Sequence, residues 1–380
     1  MIGTLVQTPL YQWHVDHGAR MVEFAGYSMP IVYTSIVAEH TATRTAATFF
    51  DISHMGRLRF DGPDAARFVD HLVTRRTADM PAGRVRYALV TNEEGGVLDD
   101  VLVYHLRDGA HASYRLLVVN ASNHDKIARW VDVHRRRFDG QVEVSDLTNS
   151  WSMLAVQGPN AAELLASLVD CDLASLHYYT AAETRIAGKG GVISRTGYTG
   201  EDGFELIVGA NAVVDVAKSL MEAGKNLGIV PAGLGCRDTL RLEAGMPLYG
   251  HELAEEINPL QAGLEFAVAL DKPEFIGRDA LVAASERTDV PVRVGVELSG
   301  RRIPREGAEV FLPAGASPIG GVTSGTFSPT LQRPIAMAYI DRSHAEVGTE
   351  LTIDVRGRHE PASVVALPFY RRPSGRESTS

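Results

Sequence analysis

Two consecutive carboxylates, Asp99 and Asp100, open an apolar stretch of this sequence and could do acid–base or charge-stabilising chemistry. The pair Gly95-Gly96 before them indicates a turn, and residues 97–104 have the composition of a β-strand. Because side chains alternate between the two faces of a strand, Asp100 is predicted to share a pocket with Tyr104. Asp99 is predicted to face the other way, together with Val97, Val101 and Val103. The alternative is that both acids are solvated turn residues.

A second candidate stretch is the glycine-rich connection over residues 195–205. Its three glycines, Gly197, Gly200 and Gly203, allow tight turns and a close approach of the backbone to a ligand. Glu205 follows at the start of the next predicted strand, where its carboxylate could accept paired N–H donors from a heterocycle. An ordinary hairpin is the alternative. The G-x-G-x-x-G spacing of a dinucleotide-binding loop is missing.

A third stretch, residues 233–250, carries two arginines at helical spacing. Arg237 and Arg241 are four residues apart, so they are predicted to lie on one face of a helix. Two guanidiniums in that arrangement can bind the carboxylates of a ligand. The alternative is structural ion pairing with Asp238, Glu243 or the Asp99-Asp100 strand.

Neither the cysteines nor the histidines have the spacing of a known metal or nucleophile motif. Cys236 has no histidine near it in sequence, and a small buried residue is the favoured interpretation. The 13 histidines are scattered, without paired-ligand spacing, so no metal site is predicted. Two cysteines in all provide no disulfide framework, which favours a reducing compartment.

Length and charge narrow the class of protein. A chain of 380 residues predicts two or three domains. A formal net charge of −10 disfavours nucleic acid or an anionic membrane surface as the main partner. The N-terminus has no secretory or transit-peptide pattern, and no apolar run approaches the roughly 20 residues that span a bilayer. A cytoplasmic protein is therefore expected.

The order of predicted elements indicates a mixed α+β protein followed by a β domain. Residues 84–145 alternate strands with a helix, and a second, similar alternation runs over residues 153–223. From Val292 onward, short strands separated by Gly, Pro and Ser predict a small all-β barrel or sandwich.

The three candidate stretches, in this order, resemble the aminomethyltransferase (T-protein) family of the glycine cleavage system. The resemblance covers nearly the whole chain and includes the segments 8–11, 50–56, 95–104, 156–159, 197–201, 235–250, 323–331 and 368–371. It implies a three-domain cloverleaf around a central folate hole, built from two α+β (ferredoxin-like) domains and a C-terminal β domain. The implied boundaries are 1–50 with 146–285 for the first domain, 51–145 for an inserted second domain, 286–372 for the β domain and 373–380 for a flexible tail.

The resemblance also implies an activity. The family transfers a one-carbon unit from the aminomethyl-lipoyl group of H-protein to tetrahydrofolate, the co-substrate, and releases ammonia. The essential acid of the family matches Asp100. The folate contacts of the family match Tyr87, Asn120, Tyr198, Glu205, Arg237 and Arg371, to which the shared strand face adds Tyr104. A monomer that binds lipoylated H-protein, but no nucleic acid or membrane, is expected.

Related folds leave two alternatives. Folate-dependent demethylases of small methylated sulfur compounds share the fold and differ in a few pocket residues. Non-catalytic folate-binding proteins of this fold carry a Lys-Gly-Cys motif, whereas Cys236 lies between Gly235 and Arg237. The C-terminal half of sarcosine and dimethylglycine dehydrogenases also resembles the chain, but 380 residues leave no room for their flavin domain. The chain departs from the family at Arg75-Arg76 and at residues 135–137, where H-protein docking is a hypothesis for either arginine cluster.

Overall fold

The computed structural model of the protein describes residues 4–108 and 112–373, so the predicted tail lies, from residue 374 onward, outside the described residues. The strands are β1 (Val6–Gln7), β2 (Arg20–Phe24), β3 (Tyr27–Val32), β4 (Ala47–Asp51), β5 (Gly56–Asp61), β6 (Val85–Thr91), β7 (Val97–Asp108), β8 (Ala112–Val119), β9 (Glu143–Asp146), β10 (Trp151–Gln157), β11 (Ala181–Ile186), β12 (Lys189–Ser194), β13 (Gly203–Gly209), β14 (Ile229–Pro231), β15 (Val292–Leu298), β16 (Glu309–Phe311), β17 (Gly320–Ser328), β18 (Arg333–Ile340), β19 (Glu350–Asp354) and β20 (His359–Val365). The α-helices are α1 (Tyr11–Asp16), α2 (Ile36–Thr45), α3 (Ala65–Leu72), α4 (His124–Arg137), α5 (Ala161–Ala166), α6 (Val213–Ala223), α7 (Leu234–Glu243) and α8 (Arg278–Ser285).

A six-stranded sheet with the order β11-β12-β13-β10-β4-β14 forms the centre of the first α+β unit. Its strands come from both sides of residues 52–146, because β4 pairs antiparallel with β10. Side chains of α1, α5 and α6 pack on one face of this sheet and form a hydrophobic core with it. The chain between β4 and β10 leaves this sheet, builds a second one and returns.

The second sheet has five strands in the order β6-β7-β8-β5-β9, and its core lies under α3 and α4. The sequence of α3 places Ala65, Phe68, Val69 and Leu72 on one helix face, and all four are buried. This arrangement is the reason the helix forms where it does, since its apolar stripe covers the sheet.

The two sheets pack against each other through a shared core. Tyr104 and Leu116 from the five-stranded sheet meet Met153 and Ile207 from the six-stranded sheet, and Cys236 of α7 lies in the same core. Cys236 is fully buried, as predicted. Because the sheets meet face to face at this point, side chains near the middle of β7 lie between layers of protein.

The C-terminal unit is a closed barrel with the strand order β15-β18-β17-β16-β19-β20, closed by the pairing of β15 with β20. Val294, Val296 and Leu298 alternate along β15 and point into its core. The structure therefore selects the barrel from the two predicted β architectures. No helix in the described part of the chain is long and apolar enough to cross a membrane.

Candidate active site

A cavity of about 500 Å³ lies where the two α+β units and residues 244–266 meet. The six-stranded unit, the five-stranded unit and the barrel all contribute to its wall. Its polar and aromatic lining includes His54, Tyr87, Asp100, Asn120, Tyr179, Tyr198, Glu205, Arg237, Arg241, Phe266 and Arg293. Six of the eight residues predicted for the site therefore line one cavity, although they come from separate parts of the sequence.

Asp100 lies in the cavity wall on β7, and its carboxylate is held by two neighbouring side chains. The Nδ2 atom of Asn120 donates to Asp100 Oδ1 over 2.7 Å, and the hydroxyl of Tyr87 donates to Oδ2 over 3.2 Å. Tyr87 comes from β6, where it pairs with Leu102, so it is a diagonal neighbour of Asp100 across the two strands. The strand pairing thus brings three predicted residues together.

Asp99 is fully buried and does not line the cavity. Its carboxylate accepts hydrogen bonds from the backbone N–H of Asn120 over 3.0 Å, from Asn120 Nδ2 over 2.8 Å and from Asn123 Nδ2 over 2.6 Å. The interpretation of the two acids as solvated turn residues is therefore wrong. Asp99 instead anchors the turn that positions Asn120 beside Asp100.

A β-bulge changes the predicted face of one residue in this strand. Val90 pairs with Asp99 and Thr91 with Val97, so Leu98 is the extra residue. Leu98 packs in the core that also contains Val101 and Val103, whereas Val97 packs in a separate core. The prediction that Val97 shares the face of Val101 and Val103 is wrong, because the bulge reverses the alternation between residues 98 and 99.

The two acids have raised pKa values. Burial raises the pKa of Asp99, and the neighbouring charge of Asp100 raises it further. Burial also raises the pKa of Asp100, while hydrogen bonds from Asn120 and Tyr87 oppose that change. The phenol of Tyr87 remains a donor, because burial and the Asp100 charge raise its pKa well above the ordinary value. A proton or a positive charge near Asp100 is thereby favoured.

Glu205 lies on β13, at a point where the preceding loop approaches closely. The hydroxyl of Thr196 donates to Glu205 Oε2 over 2.5 Å, and no described residue donates to Oε1. Burial raises the pKa of Glu205, and the Thr196 hydrogen bond and the Arg237 charge oppose the rise. The loop passes so close to β10 at Gly197 that a Cβ atom there would meet the buried side-chain amide of Gln157. The result is a carboxylate with one oxygen available to a ligand.

Arg237 and Arg241 lie on α7, as the spacing predicted, but they have different surroundings. Arg241 forms an ion pair with Glu252 over 2.9 Å and another with Asp238 over 2.8 Å, which confirms the structural alternative for this residue. Arg237 has a buried Nη1 atom without a hydrogen-bond partner in the described chain. Its guanidinium carbon lies 4.8 Å from the ring centre of Tyr198. Arg237 is therefore the arginine of α7 that lines the cavity and keeps a donor without a partner among the described residues.

Two of the predicted folate contacts, Tyr104 and Arg371, do not line the cavity. Tyr104 shares a strand face with Asp100, but four residues of strand separate them by about 13 Å. It is fully buried between the sheets, with its hydroxyl 3.3 Å from Ser194 Oγ. The prediction that the two share a pocket is wrong, because the six-stranded sheet covers β7 at that point. Arg371 is exposed and lies outside the cavity lining, so its folate contact stays a prediction.

His54 is the most informative residue that the sequence reasoning did not assign. It is only 5% exposed, lines the cavity, and its Nδ1 atom has no hydrogen-bond partner in the described chain. Burial lowers its pKa to about 4. Its position in the 50–56 segment was the available signal, since that segment formed part of the family resemblance. A neutral imidazole in this place adds a donor and an acceptor to the wall.

Phe266 and Arg293 also contribute to the wall without a local sequence signal. The ring of Phe266 stacks on Tyr87 with a centroid distance of 6.0 Å. Arg293 comes from the barrel and donates to the carbonyls of Ala262 over 2.7 Å and Gly245 over 2.9 Å. These contacts attach the barrel to the cavity wall. In the part of the chain described, no cluster of three or more His, Cys, Asp or Glu side chains has the geometry of a metal site.

Comparisons with known proteins agree with this architecture. Residues 10–272 match the family model described as GCVT N-terminal domain, and residues 292–371 match the glycine cleavage T-protein C-terminal barrel domain. The aminomethyltransferase of Saccharopolyspora erythraea is 47% identical over 96% of this chain and 98% of its own length. The aminomethyltransferase of Moorella thermoacetica is also 47% identical, over 98% of this chain and all of its own.

A solved structure extends the likeness to three dimensions. The crystal structure of the glycine cleavage system aminomethyltransferase T from Bartonella henselae superposes with a TM-score of 0.88 at 34% identity. The superposition covers 97% of this chain and 99% of the other. With two family models matching most of its length, this chain belongs to the glycine cleavage T-protein family.

Proposed function

We propose that the protein is the aminomethyltransferase of a glycine cleavage system. It takes the one-carbon unit from the S-aminomethyl-dihydrolipoyl group of H-protein and gives 5,10-methylene-tetrahydrofolate, ammonia and dihydrolipoyl H-protein. Family membership and the names of the nearly full-length relatives support this assignment. The observation in the site that carries it is the carboxylate of Asp100, held in the cavity wall by Asn120 and Tyr87.

The polar atoms of the cavity fit tetrahydrofolate. Glu205 offers a carboxylate oxygen without a donor, Arg237 offers an unpartnered Nη1, and His54 offers an unpartnered Nδ1. A pterin has a paired N–H edge that a carboxylate can accept, and its flat ring suits walls of Tyr198 and Tyr87. The buried polar atoms of the protein would gain the partners they lack.

The residues of this chain divide the work. Tetrahydrofolate, when bound, supplies the nitrogen nucleophiles that accept the one-carbon unit. Glu205 and Arg237 bind and orient tetrahydrofolate, which places its reacting nitrogen within reach of Asp100. The Asp100 carboxylate stabilises positive charge as the amine departs, and it is kept in position by Asn120. The raised pKa values of Asp99 and Asp100 limit the negative charge that the buried pair holds when no cation is present.

An assay with purified carrier tests the assignment. The protein is mixed with aminomethylated, lipoylated H-protein, with and without tetrahydrofolate, and ammonia is measured. Ammonia release that requires both the carrier and tetrahydrofolate is expected. Release that is equally fast without tetrahydrofolate, or none with both present, would contradict the proposal. A small methylated sulfur compound in place of the carrier tests the demethylase alternative in the same format.

A further inference from the structure

Tyr249 lines the cavity and contacts a lysine that lies outside the lining. The Nζ atom of Lys126, in the first turn of α4, donates to the hydroxyl of Tyr249 over 2.7 Å and to Glu255 Oε1 over 2.9 Å. The same ammonium lies 4.5 Å from the centre of the Tyr249 ring. Neither Lys126 nor Glu255 lines the cavity, so the phenol is the member of this group that a substrate can reach.

Tyr249 packs on the strand face that carries Asp100. Leu89 of β6 pairs with Asp100 of β7, and paired side chains of an antiparallel ladder point to the same face. Leu89 belongs to a buried hydrophobic cluster against which both Tyr249 and Tyr87 pack. Tyr87 in turn donates its hydroxyl hydrogen bond to Asp100. The Tyr249–Lys126 pair therefore lies on the Asp100 side of the cavity.

The contact with Lys126 fixes the direction of the hydrogen bonds of Tyr249. An ammonium group can only donate, so the phenol oxygen is the acceptor and its own proton remains for another partner. No described residue accepts a hydrogen bond from this hydroxyl. Burial raises the pKa of Tyr249, while the hydrogen bond from Lys126 and its charge oppose the rise. Tyr249 is therefore a protonated phenol beside a cation that would stabilise the phenolate when the proton leaves.

The proposed transfer needs a proton donor at sulfur as well as a group near the departing amine. The carbon of the aminomethyl group loses its bonds to sulfur and to nitrogen and gains bonds to two nitrogens of tetrahydrofolate. Each of these two nitrogens loses one proton. The amine takes one proton and becomes ammonia, and the sulfur takes the other and becomes a thiol. An alkyl thiol is a weak acid, with a pKa of about 8.5 for cysteine, so the sulfur leaves faster when it is protonated as its bond breaks.

We propose that Tyr249 is a further catalytic residue, which donates the proton to the lipoyl sulfur as the C–S bond breaks, and that Lys126 positions its phenol. The inference rests on the proposed function, because that function supplies the carrier whose sulfur departs. The electron pair of the C–S bond moves to sulfur, the Tyr249 proton follows it, and Lys126 stabilises the phenolate. A proton from a tetrahydrofolate N–H restores the phenol, so the step needs no oxidant or reductant.

The same pair suits an aminomethyl thioether better than a methylated sulfonium. A sulfonium that gives up a methyl group leaves as a neutral thioether and needs no proton. Its positive charge would also lie near the Lys126 ammonium, and like charges repel. A sulfur that leaves as a thiolate gains from both the Tyr249 proton and the Lys126 charge. The geometry therefore favours a thiol carrier over the substrate of a sulfur demethylase.

A carrier with a better leaving group tests this role. H-protein is prepared with the natural lipoyl arm and with an arm in which selenium replaces the sulfur that holds the aminomethyl group. A selenol is a much stronger acid than a thiol, so the selenium leaves without a proton. Formation of 5,10-methylene-tetrahydrofolate is measured in a single turnover. We expect Tyr249→Phe to be about a hundred-fold slower than the unmodified protein with the sulfur carrier and at most about three-fold slower with the selenium carrier.

Matched variants separate the phenol proton from a structural effect. Tyr114→Phe removes a phenol that donates to Glu183 outside the cavity lining, and it should keep the rate with both carriers. Lys126→Met should lose part of the rate with the sulfur carrier and less with the selenium carrier. Lys126→Arg keeps the charge and should retain more of the rate than Lys126→Met. Tetrahydrofolate affinity and Tm, measured in parallel, should stay close to those of the unmodified protein.

Three results would overturn the assignment of Tyr249. The first is an equal loss of rate with both carriers, which would show that no proton passes to sulfur. The second is an unchanged maximal rate that needs more H-protein, which would make the pair a docking contact. The third is a Tyr249→Phe protein as fast as the unmodified one. In each case the unmodified protein still forms methylene-tetrahydrofolate from the sulfur carrier, so the proposed function stands. If the unmodified protein fails to do so, both proposals are wrong.

Discussion

The side-chain amide of Asn120 donates to Asp100 Oδ1 over 2.7 Å, and the same nitrogen donates to Asp99 Oδ1 over 2.8 Å. One amide therefore binds two neighbouring carboxylates that have different roles. Asp99 is buried and accepts hydrogen bonds that fix the turn after β8, while Asp100 lines the cavity. This linkage explains how consecutive acids remain close without both facing the substrate.

Removing this amide should change the pH dependence of the reaction. The hydrogen bond from Asn120 lowers the pKa of Asp100 and opposes the effect of burial. In Asn120→Ala the pKa should therefore rise, and a higher pH is needed to keep Asp100 ionised. We expect the acid limb of the kcat profile to move to higher pH and the rate at neutral pH to fall. Asn123→Ala, which removes a donor to Asp99 only, is the control and should leave that limb closer to its original position.

Replacing the free carboxylate of the cavity should weaken folate binding. Glu205→Gln keeps the shape of the side chain and removes its charge, so an ion-assisted contact is lost. An affinity roughly ten- to a hundred-fold weaker is expected for tetrahydrofolate, with a correspondingly smaller rise in Tm at fixed ligand concentration. Glu183→Gln is the control, because Glu183 accepts from Tyr114 and does not line the cavity. If tetrahydrofolate raises Tm equally in Glu205→Gln and Glu183→Gln, Glu205 does not take part in binding.

The buried histidine should make the fold sensitive to acid. The pKa of His54 is about 4 in the folded protein, whereas a histidine that is not buried has a pKa of 6.5. The unfolded chain therefore binds the proton more readily than the folded protein does. The stabilisation by the neutral ring is fully present above pH 6.5 and is lost as the pH falls from there toward about 4. The loss amounts to about 3 kcal/mol at most.

Chemical unfolding at a series of pH values measures this effect. His54→Gln cannot titrate in that range, so its free energy of unfolding should fall less steeply between the two pKa values than that of the unmodified protein. Burial raises the pKa of Asp51, but hydrogen bonds from His14, Ser53 and Thr8 outweigh burial and lower it to about 2. The stabilisation by Asp51 should therefore be lost at a still lower pH than that of His54. Parallel pH profiles for the two proteins would show that His54 is not held neutral by the fold.

Much of the candidate site could be predicted from local sequence and the family resemblance. The alternation along β7 assigned Asp100 to the open face correctly, since the bulge precedes Asp100 and the strand is regular from there on. Helical spacing placed Arg237 and Arg241 on one helix, but spacing alone does not reveal which arginine is paired. Glu252, the buried partner of Arg241, lies eleven residues further along the chain.

The remaining features depend on contacts that local patterns do not contain. Tyr104 has the right strand face but is covered by the six-stranded sheet. Val97 changes face because an extra residue enters the strand, and nothing in the local composition marks that bulge. Phe266 and Arg293 reach the wall only through packing between units. The barrel was predicted as a barrel or a sandwich, and only the pairing of its first and last strands decides between them.

The central claim is that Asp100 acts directly in the transfer and Asp99 supports it. Asp100→Asn and Asp99→Asn are compared in a single-turnover measurement of tetrahydrofolate-dependent ammonia release, with tetrahydrofolate affinity and the free energy of unfolding measured in parallel. We predict that Asp100→Asn lowers the rate by about two to four decades while folding and tetrahydrofolate binding are kept. Asp99→Asn should lose about 1–3 kcal/mol of stability through its mismatched buried donors, with a much smaller loss of rate in the folded protein. Equal rate losses in the two folded variants would contradict the account.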